Sequence, residues 1–544
     1  TLATATYNTA IGVTALDALT EGDYNVAVGY NALTANTTGA GNTAIGHEAL
    51  KANTTGSYNN AYSMYSLRSN TEGSYNIASG LWSLGKNTTG SYNVASGYHS
   101  LYRNITGSNN VAYGYASLKE NLGSNNTAIG NSALFNNTSG TGNTASGSAS
   151  LISNTTASGG TASGYQSLYY NTIGANNTAS GYHSMRSNTE GSNNAAFGYQ
   201  SLYANTTGAG NTAIGKDALK ANTTGYSNTA TGDRSLSSVT TGYHNTAMGS
   251  LSGYGITEGY SNVSVGYGAN QNTTTGNYNV AIGQSALIYN QTGNSNTAIG
   301  KGALEGASGQ SLGGNTALGY DAGNDITTGD YNVFLGYQAG DAITTGDNNI
   351  IIGKTAAASA VGVDNEIVIG SAAIGQGTNT VTLGNSSVTA WLPGNADTVD
   401  LGTAANQFDV VYANKLGLGS ALMELPVADG SIGQILKTDG EGNLDWTTNV
   451  SGASSLDALS DVLHNTSAGN LVVGHIPGNI TSGTSNSAFS SNGLEDLTSG
   501  LYNNAFGTGA LVNVTTGNAN TAMGHKTMES LVGGAENTAF GQGA

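Results

Sequence analysis

The chain has 544 residues and a formal net charge of −18, from 14 Lys and Arg against 32 Asp and Glu. Only 8% of its residues are charged, where about 25% is usual, while Gly supplies 82 residues and Pro only 3. There is no Lys/Arg cluster to bind nucleic acid, no apolar run of about 18 residues to cross a membrane as a helix, and no Cys for disulfide or thiolate chemistry.

Residues 1–384 read as one repeat block. The pattern Asn-x-Ala-x-Gly starts at Asn8, Asn25, Asn42, Asn59 (with Ser63 in place of the Gly), Asn76, Asn93 and Asn110, 17 residues apart each time. A 16-residue step leads to Asn126, a 19-residue step to Asn315, and a 14-residue step joins Asn365 to Asn379. Such a period is the signature of a solenoid, one supersecondary unit per repeat. Gly, Asn and Thr fill too much of each period for a helix. The period from Asn42 predicts two short extended pieces, Thr43–Ile45 and Ala49–Leu50. Turns at Gly46–Glu48 and Asn53–Gly56 close them, since Gly and Asn tolerate positive φ. The predicted fold is all-β, a parallel β-solenoid or β-roll of 17-residue rungs about 4.8 Å apart, so that the shaft spans on the order of 110 Å.

The predicted core is thin. Leu50, Leu84, Leu101, Leu202 and Leu219 share one repeat position, where Met185 replaces Leu once, and Ala44 and Ile45 complete the core of their rung. So little apolar surface per 17 residues opposes a large ordering entropy. An additional interface is therefore expected, in the form of a parallel homotrimer of rolls about a common axis. Asn53, Asn87, Asn205 and Asn222 are expected to bond down the stack as amide ladders.

Tyr recurs before the repeat Asn (Tyr58, Tyr75, Tyr92) and after the repeat Gly (Tyr98, Tyr115, Tyr182, Tyr199), which predicts exposed aromatic ladders. Ring packing is their expected role, with presentation of ring faces to sugars as the alternative. Asn36, Asn53, Asn87, Asn205 and Asn222 each begin an Asn-x-Thr sequon, so they are candidate glycosylation sites as well as turn residues. The seven His residues do not converge with acidic residues at ligand spacing. Single acidic residues such as Asp23, Glu72, Glu190, Glu258, Asp330 and Asp347 lack the dense oxygen set of a calcium site. Gly-x-Gly fragments lack the flanking strand and helix of a phosphate loop. No catalytic residue, cofactor or metal site is expected.

Residues 385–480 interrupt the period and read as non-repeat β modules. Residues 481–544 form a second roll, with Asn486, Asn503, Asn520 and Asn537 again 17 apart. Blocks such as Asn42-Thr43-Ala44-Ile45-Gly46 and Asn279-Val280-Ala281-Ile282-Gly283 resemble the head repeats of trimeric autotransporter adhesins. That resemblance implies left-handed trimeric β-rolls. Four further segments resemble modules of phage tail fibres: Leu383–Ala390, Asp400–Ala413, Gly430–Trp446 and Leu456–Val462. Together the resemblances imply a structural fibre at a virion surface or otherwise outside a cell, a rigid shaft for host attachment and not an enzyme. Its partners would be copies of itself, other fibre or baseplate proteins, and a host-surface glycan or protein receptor. The alternative is a bacterial surface adhesin or extracellular filament subunit built on the same repeats.

Overall fold

A computed structural model describes residues 4–389, six short strands between 415 and 473, and residues 484–489, 493–494 and 497–544. The chain divides into two units, Thr1–Trp391 and Leu392–Ala544. In the first unit each rung supplies one three-residue strand, from Thr9–Ile11 (β1) to Val381–Leu383 (β23). These strands pair in parallel, each with the next along the chain, into one 23-stranded sheet. Thr43 lies beside Asn60, Ala44 beside Ala61 and Ile45 beside Tyr62. The register follows the repeat, because a slip by one residue would turn every buried Ala outward. The 16-, 19- and 14-residue steps are absorbed in turns, and pairing continues through each of them.

The expected second strand at Ala49–Leu50 is not one. Glu48 and Leu50 hold φ of +55° and +50°, so this side of the rung is a run of turns in which left-handed residues recur. Its backbone is nonetheless bonded between rungs. Glu48 N donates to Tyr30 O at 2.8 Å, Leu50 N to Ser66 O at 3.0 Å and Ala52 N to Arg68 O at 3.0 Å. The left-handed backbone also explains the composition of the leucine column. Branching at Cβ is strongly disfavoured at positive φ. The column from Leu16 to Gly340 accordingly holds Leu, Met, Asn or Gly and never Ile or Val.

The interior of a rung consists of the central strand Ala, the column Leu and a small Ala or Ser beside that Leu, all buried. Ile45 does not belong to it. The strand alternates, so Ala44 points inward and Ile45 outward, where it is 42% exposed. Two glycine positions are fixed sterically. A Cβ on Gly46 (φ +140°) would come within 2.5 Å of the Ser63 carbonyl carbon, and one on Gly56 would collide with the carbonyl oxygen of Gly73.

In the second unit, Lys415–Leu418 (β24) pairs antiparallel with Ala421–Glu424 (β25), and Gln434–Thr438 (β26) with Leu444–Thr448 (β27). The hairpin Val462–Asn465 (β28) and Asn470–Val473 (β29) leads into the second roll. Its outer strand pairs in parallel with Ser487–Phe489 (β30), followed by Asn504–Phe506 (β31), Thr521–Met523 (β32) and Thr538–Phe540 (β33). Ala488, Leu494, Leu497, Ala505, Leu511, Val514 and Ala522 are buried in it. The sequence segment Asp400–Ala413, most of Leu456–Val462, and His475 lie outside the described residues.

Candidate functional site

One surface that runs through every rung of the first unit is the outer face of its sheet. Each strand turns its first and third residues outward on either side of the buried central residue. Across all 23 strands neither outward column holds a charged residue. The first column is rich in Thr and Val. The third carries Ile45, Tyr62, Tyr113, Ile129, Phe197, Ile214, Met248, Leu318, Leu335 and Ile369, all exposed, interspersed with Ser. Since 8% of the chain is charged, this long neutral stripe departs from the rest of the surface. The face is thus neutral along its length but apolar only in patches, separated by Thr and Ser as at Thr144–Ser146, Thr161–Ser163 and Thr178–Ser180.

Two Tyr columns form stacked runs. Tyr58, Tyr75 and Tyr92 stack with centroids 5.0 Å apart and planes 16° and 3° from parallel. Tyr226, Tyr243 and Tyr260 form a similar run, and Tyr7 stacks on Tyr24. In the second column Tyr98 stacks on Tyr115, and Tyr182 lies between Tyr165 and Tyr199 at 5.4 and 5.5 Å. Although most of these rings are exposed, with Tyr243 and Tyr260 half-buried, the two faces of each inner ring are turned to its neighbours. Edges and hydroxyl groups are therefore what the runs present, and only their end rings offer a face for a sugar to stack upon.

The sequon asparagines sit inside the roll. Asn36, Asn53, Asn87, Asn205 and Asn222 are fully buried. Asn53 Nδ2 donates to Asn36 Oδ1 at 2.7 Å and to Gly56 O at 2.8 Å. Asn87 repeats this with Asn70 and Gly90, and Asn222 with Asn205 and Gly225. The structure thus places these five residues as ladder residues and not as surface turns: the nitrogen a glycan needs is buried, donating to Gly39 O in Asn36 and to two acceptors in each of the other four. The sequence argument missed a second ladder made by the repeat Asn itself. Asn42 Nδ2 donates to Asn25 Oδ1 and to Gly56 O, and Asn42 N donates to the same Asn25 oxygen. The 17-residue recurrence of these asparagines was the available signal. A third column accepts backbone N–H groups through side-chain oxygens. Ser57 N donates to Ser74 Oγ, Gly313 N to Asp330 Oδ1, and Asp330 N to Asp347 Oδ1. These last carboxylates thus serve the backbone.

Ionised groups gather at few places. Glu48 lies between Lys51 Nζ at 2.8 Å and Arg68 Nε at 2.6 Å. The Lys51 hydrogen bond, joined by Arg68 and opposed by burial, holds its carboxyl down to about 2. Burial pushes the imidazoles of His99 and His183 below their ordinary value, and Lys119 and Arg186 act in the same direction. Burial, then neighbouring Asp325 and Asp321, pushes the Asp341 carboxyl up. Among the described residues, no three His, Cys, Asp or Glu side chains are grouped to hold a metal ion, and no helix is long and apolar enough to cross a membrane. No protein-family model matches the chain, and no curated protein is significantly similar to it.

Proposed function

We propose that this chain is a structural fibre protein, whose repeats form a rigid shaft that holds a host-contacting region away from a virion surface. The observation that carries the reading is the uninterrupted parallel sheet of 23 rungs, braced along its length by amide ladders and aromatic stacks. At about 4.8 Å per rung, such a stack resists bending because backbone bonds run along its axis. Most buried polar side chains serve the next repeat, which suits a mechanical role outside a cell and not catalysis.

The working form is a parallel homotrimer, with the charge-free strand face as the contact between copies. A uniform neutral stripe can pack along its whole length without burying an unpaired charge. Sedimentation equilibrium on the purified chain tests this, and a stable folded monomer refutes it. Immunogold electron microscopy on the producing culture tests the role. Gold on tail or capsid projections of free virions is the expected result, whereas gold on cell surfaces or free filaments replaces the virion fibre with an adhesin or filament subunit.

A further inference from the structure

The interior of the first unit changes along its axis. Buried apolar side chains form one continuous cluster from Leu16 to Ile256 and a second from Ala269 to Ala373. The break falls within the rung beginning at Asn262, whose Ala269 already belongs to the second cluster. Its strand Val263–Val265 places Ser264 where the adjoining rungs have Ala247 and Ala281. Asn270 stands in the leucine column, one rung after Gly253, and Thr273 stands in the sequon-asparagine column after Val239 and Ile256.

Hydrogen bonding fails in the same stretch. The amide ladder through Asn188, Asn205 and Asn222 ends at Asn222, whose Oδ1 is buried without a partner, since Val239 offers no donor one rung on. Ser264 Oγ and Asn270 Nδ2 are also buried and unpartnered. Thr273 turns its hydroxyl to Asn270 Oδ1 and Asn290 O. Beyond Asn290, both amide atoms of buried Gln310 lack partners. Among the described residues, five of the seven buried side-chain atoms without a hydrogen-bond partner fall between Asn222 and Gln310; the other two are His183 Nε2 and Asp217 Oδ1, the latter ion-paired with Lys220. The strand pairing itself continues without a gap, Ser264 lying beside Ala281.

We infer that residues 253–290 form a built yield point, where the first unit opens before the rungs on either side and which divides it into two cooperative blocks. In a solenoid each rung is stabilised by itself and its two neighbours only, so a weak rung cannot draw on distant ones. This rung keeps apolar contact with the following rungs through Ala269 but none with the cluster before it, and it retains desolvated groups that water would satisfy on opening. Local opening therefore costs least there. The inference rests on the interior of the roll and stands whether or not the fibre belongs to a virion.

Hydrogen-exchange mass spectrometry on the full chain tests it. Amides of residues 253–290 are expected to exchange at least about tenfold faster than equivalent amides of residues 59–205, because unsatisfied buried groups weaken the closed state. The double variant Ser264→Ala/Asn270→Leu restores the side chains of the other rungs and is expected to remove most of that difference. The reciprocal variant Ala128→Ser/Leu134→Asn is expected to create a new fast-exchanging zone around residues 118–143. Uniform exchange along the wild-type unit overturns the inference, and so does a repaired variant that exchanges no more slowly than wild type.

Discussion

Replacing Leu101 by Ile separates the effect of backbone conformation from that of volume. Leu101 is fully buried and holds φ of +51°. In an ordinary core the exchange of Leu for Ile keeps volume and hydrophobicity and costs under about 1.5 kcal/mol. Here the branched Cβ must enter the left-handed region, a strain of order 1–3 kcal/mol, so the total should fall at about 1–4.5 kcal/mol. Leu101→Met keeps an unbranched Cβ and has a precedent in Met185, which sits in the same column at φ +50°; it should cost under about 1.5 kcal/mol. Leu101→Ala empties the site at about 2–5 kcal/mol. The expected order thus puts Ile close to Ala, although Ile removes no atoms. Because a solenoid loses stability locally, the assay is hydrogen exchange of residues 94–118, read beside the urea midpoint of the whole chain. If Ile proves as mild as Met, backbone strain does not select the leucine column and the reasoning fails.

Asn87→Asp replaces a two-hydrogen donor with an acceptor facing Asn70 Oδ1 and Gly90 O; it should cost at least about 2 kcal/mol in chemical denaturation, more than Asn87→Ala, because it buries a charge against two acceptors. Glycopeptide mass spectrometry should find Asn36, Asn53, Asn87, Asn205 and Asn222 unmodified, and glycan at two of them would overturn the buried ladder. Tyr75→Ala removes two stacked contacts and should cost about 1–3 kcal/mol, with loss of near-ultraviolet circular dichroism. The Glu48 carboxyl is held down to about 2, so its contribution is complete above the unfolded value of about 4.5 and is lost as pH falls towards 2. Lys51 and Arg68 are partly exposed, which limits the effect to about 1 kcal/mol. The melting temperatures of wild type and Glu48→Gln should differ most near pH 6 and converge near pH 2.

Much of the fold is legible because the repeat is strict. An asparagine every 17 residues fixes the rung, and a central Ala between outward residues fixes the strand. Two features are not legible, for different reasons. The Ala49–Leu50 segment looks like a strand because its apolar residues are short and adjacent; that Leu50 is left-handed shows only in the column, by the absence of Ile and Val over many rungs. The sequon asparagines look like surface turns because Asn, Thr and Gly are ordinary turn residues. Their burial follows from stacking, which lets each amide serve two rungs, and no single period displays that. Ile45 was misplaced because hydrophobicity alone does not tell an inner face from an outer one; the alternation about Ala44 does.

What the rungs hold in common is an outline, and residues are exchanged within it. Gly253, Gly323 and Gly340 empty the leucine column, and in each case an Ile stands three residues later, at Ile256, Ile326 and Ile343, where other rungs place the ladder Asn. Phe334 then takes the central strand position held by Ala in most rungs, and its ring occupies the space in which a Cβ on Gly323 or Gly340 would lie. Ile is admissible at this second position because it is not among the left-handed residues. Bulk has thus moved across the rung from a site that requires an unbranched Cβ to sites that do not, while the strand register stays unbroken from Thr316 through Val333 to Ile350. A rung that loses the Leu without gaining these replacements, as the one holding Ser264 and Asn270 does, keeps its backbone bonds but breaks the apolar cluster towards the rungs before it.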